Sequence, residues 1–233
     1  MTMPEFFEQL DARVAKYDLL CHPFYKAWSG GQLTRSDLRE YAKDYFHHVE
    51  AFPAYLGIFA NRLENAGLRK AVLANKRDEE GIDKAGNQAE RSHADLWLDF
   101  AEGMGAERDL AAHAPLSEVR ELIGFFERTA REAAPEEALA AFYAYESQVP
   151  RVAQEKARGL REMYSANEKT CSYFTLHATA DVYHSQVWKQ QLAKKLADCP
   201  ENAERALDAA EAAAQALWKV LDGMEARRTA MAA

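Results

Sequence analysis

The chain has 233 residues with 11 Gly and 7 Pro, about 8 per cent punctuating residues against the roughly 12 per cent of average usage. Alanine occurs 44 times and Ile and Val together only 12 times, so strands lack their β-branched stock and an all-α fold is expected. The net charge of −8 argues against a nucleic-acid partner, and no run approaches the length of an apolar membrane span, so no membrane partner is expected either.

Apolar residues at three- and four-residue spacing predict helices near 4–19, 36–65, 67–83, 88–104, 116–133, 135–164, 168–197 and 201–227. The first segment lacks an apolar run before a small-residue cleavage site, so a cytoplasmic protein is expected. Segment 20–33 contains Gly30 and Gly31 and reads as a brief helix or turn. Thr34 and Ser36 can cap the second helix, and Pro115 and Ser117 open the fifth. Pro150 falls inside the sixth, where its missing N–H should bend the helix. The last helix, rich in Ala and acidic residues, presents Leu207, Leu217, Val220 and Leu221 for core contact. No linker or repeat divides the chain, so one domain is expected over 1–233, a bundle of seven to eight helices. The three cysteines, Cys21, Cys171 and Cys199, show no CxxC spacing and suggest neither a disulfide framework nor structural zinc.

Three segments carry potential chemistry. In YFTLHATADVYHSQVW (173–188), His177, Asp181 and His184 fall at about 0°, 40° and −20° on a helix, one polar stripe beside Phe174 and Trp188. Burying three such groups is costly unless they pair or bind a cation, and imidazole with carboxylate suits Fe, Mn or Zn. In AFYAYESQVPRVAQEK (141–156), Glu146 sits among aromatic residues as a ligand, a perturbed acid, or simply a partner of Tyr or Arg151, and Lys156 follows beyond the expected bend. In NKRDEEGIDKAGNQAERSHADLW (75–97), Glu79 and Glu80 lie about 100° apart, so only one faces the core, while Glu90 and His93 form an ExxH pair of the kind used in di-iron bundles. Carboxylates and imidazoles from several helices are the ligand types that a two-metal bundle core demands, and such a site holding Fe or Mn could activate oxygen. Tyr25, Tyr41, Tyr45, Tyr143, Tyr145 and Tyr173 are then candidate radical relays or substrates, or ordinary core residues.

The runs LCHPFYKAWS (20–29), YAKDYFHHVEAFPAYL (41–56) and YAYESQVPRVAQEKARGL (143–160), with the HxxxDxxH of His177, Asp181 and His184, resemble the chlamydial death-domain-associating protein family. That group stands among the heme-oxygenase-like oxidases, beside proteins similar to pyrroloquinoline-quinone synthase. The resemblance spans about residues 5 to 225 and implies a heme-oxygenase-like bundle. It implies metal ligands at Glu79, His93, Glu146, His177, Asp181 and His184, a catalytic lysine at Lys156 and a sacrificial tyrosine at Tyr25. The implied activity is formation of para-aminobenzoate for folate synthesis, in which two metal ions, molecular oxygen and a reductant convert a tyrosine side chain and a lysine supplies nitrogen. In relatives of this kind the DEE run and the HxDLW run are close together. Here GIDKAGNQAERS (81–92) intervenes, leaving Glu79, Glu80 and Glu90 as alternatives for the first ligand.

Two other functions compete: an oxygenase of the same fold acting on a free small molecule, with Tyr25 and Lys156 merely lining its pocket, and a death-domain-binding interaction protein. The sequence leaves open the electron donor and whether the chain forms a homodimer.

Overall fold

The computed structural model describes residues 1–232 and is all-α, with ten α-helices among the described residues. These are α1 (Met3–Ala15), α2 (Pro23–Ser29), α3 (Arg35–Asn61), α4 (Ala66–Glu80), α5 (His93–Gly103), α6 (Ser117–Glu132), α7 (Pro135–Glu146), α8 (Val149–Tyr164), α9 (Glu168–Asp198) and α10 (Ala203–Ala232). The count exceeds the expected seven to eight for two local reasons. Segment 20–33 folds into a 3-10 turn at Leu19–Cys21 followed by α2, which His22 caps by accepting from Phe24 N. The expected helix over 135–164 breaks at Ser147–Gln148, so Pro150 does not bend a continuous helix. It stands in the first turn of α8, where its missing N–H leaves no bond unmade. A proline is found inside α3 instead, at Pro53.

Caps set the remaining boundaries. Thr34 forms a capping box with Asp37 at the start of α3, Asn65 caps α4, Ser92 caps α5 and Asn167 caps α9. The helix expected from residue 88 therefore starts at His93, and Glu90 lies outside it, so Glu90 and His93 do not form a helical ExxH pair. Gly81 ends α4 at φ 67, and a Cβ there would meet the Glu90 carbonyl oxygen at 2.5 Å. The corner that follows is closed by an Ile82–Gln88 bridge, by Asp83 Oδ1 accepting from Ala85 N and Asn87 N, and by Gln88 Nε2 donating to the Glu80 carbonyl at 2.9 Å.

α3, α5, α7 and α9 form the interior, with α4 and α8 flanking it and α10 packed over α7, α6 and α1. Leu207, Leu217, Val220 and Leu221 are buried, as core contact requires. The core is dominated by aromatic rings, Trp97, Phe100, Phe126, Phe142, Phe174 and Trp188 among them; Phe100 and Phe174 pack edge-to-face between α5 and α9, and Phe126 and Phe142 stack between α6 and α7, which holds those helices at fixed spacing. No helix among the described residues is long and apolar enough to cross a membrane.

Candidate metal centre

α9 delivers His177, Asp181 and His184 on one buried stripe, as their spacing predicted. α4 adds Glu79, α7 ends on Glu146, and α5 begins with His93. All six side chains are buried, and they form two groups that share Glu79: Glu79, His93 and His177, and Glu79, Glu146, Asp181 and His184. Within each group the potential ligand atoms lie within 4.8 Å of one another. Among the three alternatives for the first ligand, only Glu79 reaches the cluster. Glu80 pairs with Lys76 on the outer side of α4, and Glu90 is exposed on the corner.

The buried carboxylates and imidazoles perturb one another strongly. Burial, together with the Asp181 and Glu79 carboxylates, pushes the Glu146 carboxyl well above its ordinary range against the pull of His184. Burial would also raise Glu79, but the charge of His93 close beside it brings it down to about 2. His184, though burial opposes its charge, is lifted to about 11 by hydrogen bonds with Asp181 and Asp78. His93 Nδ1 approaches Glu79 Oε2 to 2.6 Å without the alignment of a hydrogen bond, a contact that a shared cation would reconcile. Imidazole nitrogen and carboxylate oxygen, drawn from four helices, fit iron or manganese.

Outer contacts hold these side chains in place. Asn75 Nδ2 donates to Glu146 Oε1 at 3.1 Å, and Trp188 Nε1 donates to the other carboxylate oxygen. His177 Nδ1 is 2.8 Å from the Tyr173 carbonyl, which fixes its protonated edge and leaves Nε2 free. His177 also lies against Tyr173, ring centroids 3.9 Å apart. Sequence reasoning missed Asn75. The stripe Leu68, Val72, Asn75, Glu79 on α4 would have found it, since an apolar face that continues into Asn and Glu turns those polar groups inward.

A second constellation lies on the far side of two tyrosines. Lys156 on α8 is buried, with Nζ 4.4 Å from the Tyr25 ring, 4.7 Å from the Tyr41 ring and 5.3 Å from the Trp28 ring. Nζ donates to Tyr41 Oη, which lies 3.0 Å from Tyr25 Oη. A cavity of about 30 Å³ beside Lys156 and Tyr25 and a smaller one inside the carboxylate–imidazole cluster share Tyr145 and Tyr173 as walls. Tyr45 stacks on Tyr41 and borders the larger cavity. Tyr143 is not part of this array, because its hydroxyl donates to Asp11 on α1. His48 is another group that the sequence did not single out: it is fully buried among Tyr45, Phe52, Phe126 and Tyr145, and burial takes it down to about 3, hence neutral.

Burial holds the Lys156 amine well below the usual 10.5. Between the folded value and 10.5 the unfolded chain therefore takes up a proton that the folded chain refuses, and stability rises with pH through that window. Lys156→Met removes this burden. The variant apoprotein is expected to melt several degrees above wild type at neutral pH, and the gap should close as pH rises toward 10.5. A gap independent of pH would show that Lys156 is not buried uncharged.

Residues 39–218 match the family described as iron-containing redox enzymes, which have the heme-oxygenase-like fold. The chain belongs to this family, and it is a metal-using oxidoreductase. Within that class it is similar to the 4-aminobenzoate synthase of Chlamydia trachomatis, 36% identical over 93% of this chain and 90% of that protein. It is likewise similar to the 4-aminobenzoate synthase of Nitrosomonas europaea, 37% identical over 96% of this chain and 92% of its relative. The crystal structure of a CADD-like protein from Nostoc punctiforme superposes with a TM-score of 0.78 at 15% identity, covering 97% of this chain and 98% of that one, and shares the fold.

Proposed function

We propose that this chain is a dimetal oxygenase that makes 4-aminobenzoate from its own Tyr25, with Lys156 as the amino donor. The observation that carries the reading is the closed contact between Lys156 Nζ and Tyr25, inside an aromatic cage one layer of tyrosines away from the carboxylate–imidazole cluster. The cavity there, about 30 Å³, is far below the roughly 300–1,000 Å³ of sites that admit a free small molecule. That leaves no room for a free phenol beside Lys156, which supports Tyr25 as its source; the wider cleft of about 570 Å³ borders His93 and His184 but none of the residues around Lys156. The relatives from Chlamydia trachomatis and Nitrosomonas europaea, both named 4-aminobenzoate synthase, support the product.

The atoms balance. The ring and Cβ of Tyr25 supply the ring and carboxyl carbons, and Lys156 Nζ supplies the nitrogen. The Cα–Cβ bond of Tyr25 and the Cε–Nζ bond of Lys156 break: Cα takes up hydrogen and is left as glycine, Cε is left as an aldehyde, nitrogen bonds to the ring carbon that gives up its phenolic oxygen as water, and Cβ is oxidised to carboxylate, so that two dioxygen and a two-electron, two-proton reductant close the equation with two waters. Dioxygen is the oxidant, with electrons from an external reductant.

Glu79, His93 and His177 on one side, and Glu79, Glu146, Asp181 and His184 on the other, would hold two metal ions, Fe/Fe or Mn/Fe, which when bound supply activation of dioxygen. The protein residues do the rest. Burial lowers the proton affinity of the Lys156 amine, which favours a free lone pair for bonding to carbon. Tyr41 holds the Lys156 amine and the Tyr25 hydroxyl through one oxygen. The surrounding rings exclude water, and Tyr145 and Tyr173 stand as the phenolic link between cluster and cage. A tethered phenol and amine have an effective concentration far above that of any diffusing reactant, on the order of 10⁵ M or more when well oriented.

The test is stoichiometry. Metal-loaded protein with oxygen and reductant should release no more than one product per chain, however long the incubation. Repeated turnover on an added small molecule would overturn the self-sacrificial reading and favour a free substrate.

A further inference from the structure

We propose that Asp78 is a positioning residue that fixes the His184 ring for metal binding, an inference that rests on the metal-centre reading above. His184 is held at both edges. Its Nδ1 lies 3.2 Å from Asp181 Oδ1 on the inner side, and its Nε2 lies 3.2 Å from Asp78 Oδ2 on the outer side. An imidazole that keeps its proton on Nε2, donated outward to Asp78, presents the Nδ1 lone pair to the group formed by Glu79, Glu146 and Asp181. His177 receives the equivalent support from a backbone carbonyl, whereas at His184 a side chain sets the tautomer.

The placement of Asp78 argues for a function. It stands in the last turn of α4, where a carboxylate opposes the helix macrodipole. Of the three acids in that turn, Glu80 is answered by Lys76 and Glu79 enters the cluster, while the ion-pair partner of Asp78 among the described residues is His184 itself. Asp78 is about half-exposed, so replacing it opens no core cavity. It also borders a solvent-open cleft of about 570 Å³, whose walls include Arg77, His93, Tyr183 and His184, so a small anion can reach the position the carboxylate would leave.

The test uses the full chain freed of metal and titrated anaerobically with Co(II), whose visible absorption reports imidazole ligation. In Asp78→Ala, one of two equivalents should bind about 10–100-fold more weakly, the other should be unchanged, and the apoprotein should keep its fold, melting only slightly lower for the lost His184 contact. Asp78→Asn, whose Oδ1 still accepts from Nε2–H, should return affinity and spectrum to near wild type. Formate should do the same for Asp78→Ala where chloride at equal ionic strength does not. Wild-type affinity for both equivalents in Asp78→Ala overturns the inference, as does failure of both Asn and formate to restore binding. Wild-type protein that binds fewer than two equivalents brings down the metal-centre reading and this inference with it, a result visible before any substitution is made.

Discussion

Tyr25→Phe should yield no 4-aminobenzoate while the protein still binds two metal ions. Tyr25 sits on α2, outside both ligand groups, so the cluster loses nothing when its hydroxyl is removed. Phenylalanine keeps the ring against Lys156 and Trp28, and Tyr41 still accepts from Lys156 Nζ. The structural cost is one buried hydroxyl contact, about 1 kcal/mol, small beside the stability of a domain this size. The chemical cost is total, because the ring carbon that would receive nitrogen no longer carries an oxygen to exchange. Product analysis and elemental analysis on the same sample check both halves. Substantial product from the variant would show that the phenol comes from elsewhere.

Glu79→Gln should empty both metal positions at once, because Glu79 alone belongs to both groups. Loss of an outer-contact partner already costs about 10–100-fold in metal affinity, and loss of a shared carboxylate should exceed that at each position. His177→Gln is the control: it belongs to one group only and should leave the other equivalent in place. Metal titration followed by elemental analysis reads the difference. The substitution also changes acid stability in the apoprotein. With its folded value at about 2 against an ordinary 4.5, Glu79 contributes stability that is full above 4.5 and disappears as pH falls toward 2. The Gln variant should lack that component. One retained equivalent in Glu79→Gln would show that the two groups do not share a bridging carboxylate.

Much of this was legible because helices impose a fixed angle per residue. The stripe of His177, Asp181 and His184 followed from spacing alone, and the buried face of α10 from its apolar positions. The first ligand was less legible, because residues 81–92 separate it from His93 and sequence distance says nothing about where a corner folds. The periodicity Leu68, Val72, Asn75, Glu79 holds the answer, since Glu80 falls a hundred degrees off that face. Pro150 misled for a different reason. A proline two residues into a helix and a proline in the middle of one look alike until the preceding helix is known to stop at Glu146. Asp78 and His48 were out of reach, because their roles depend on which helix lies opposite, a matter of tertiary packing rather than of local pattern.

The most direct test of self-sacrifice is peptide mass mapping of metal-loaded protein before and after aerobic incubation with reductant. The peptide containing Tyr25 should lose its aromatic side chain, the peptide containing Lys156 should lose its amino nitrogen, and both changes should track the amount of 4-aminobenzoate released. Product accompanied by an intact Tyr25 peptide would contradict self-sacrifice.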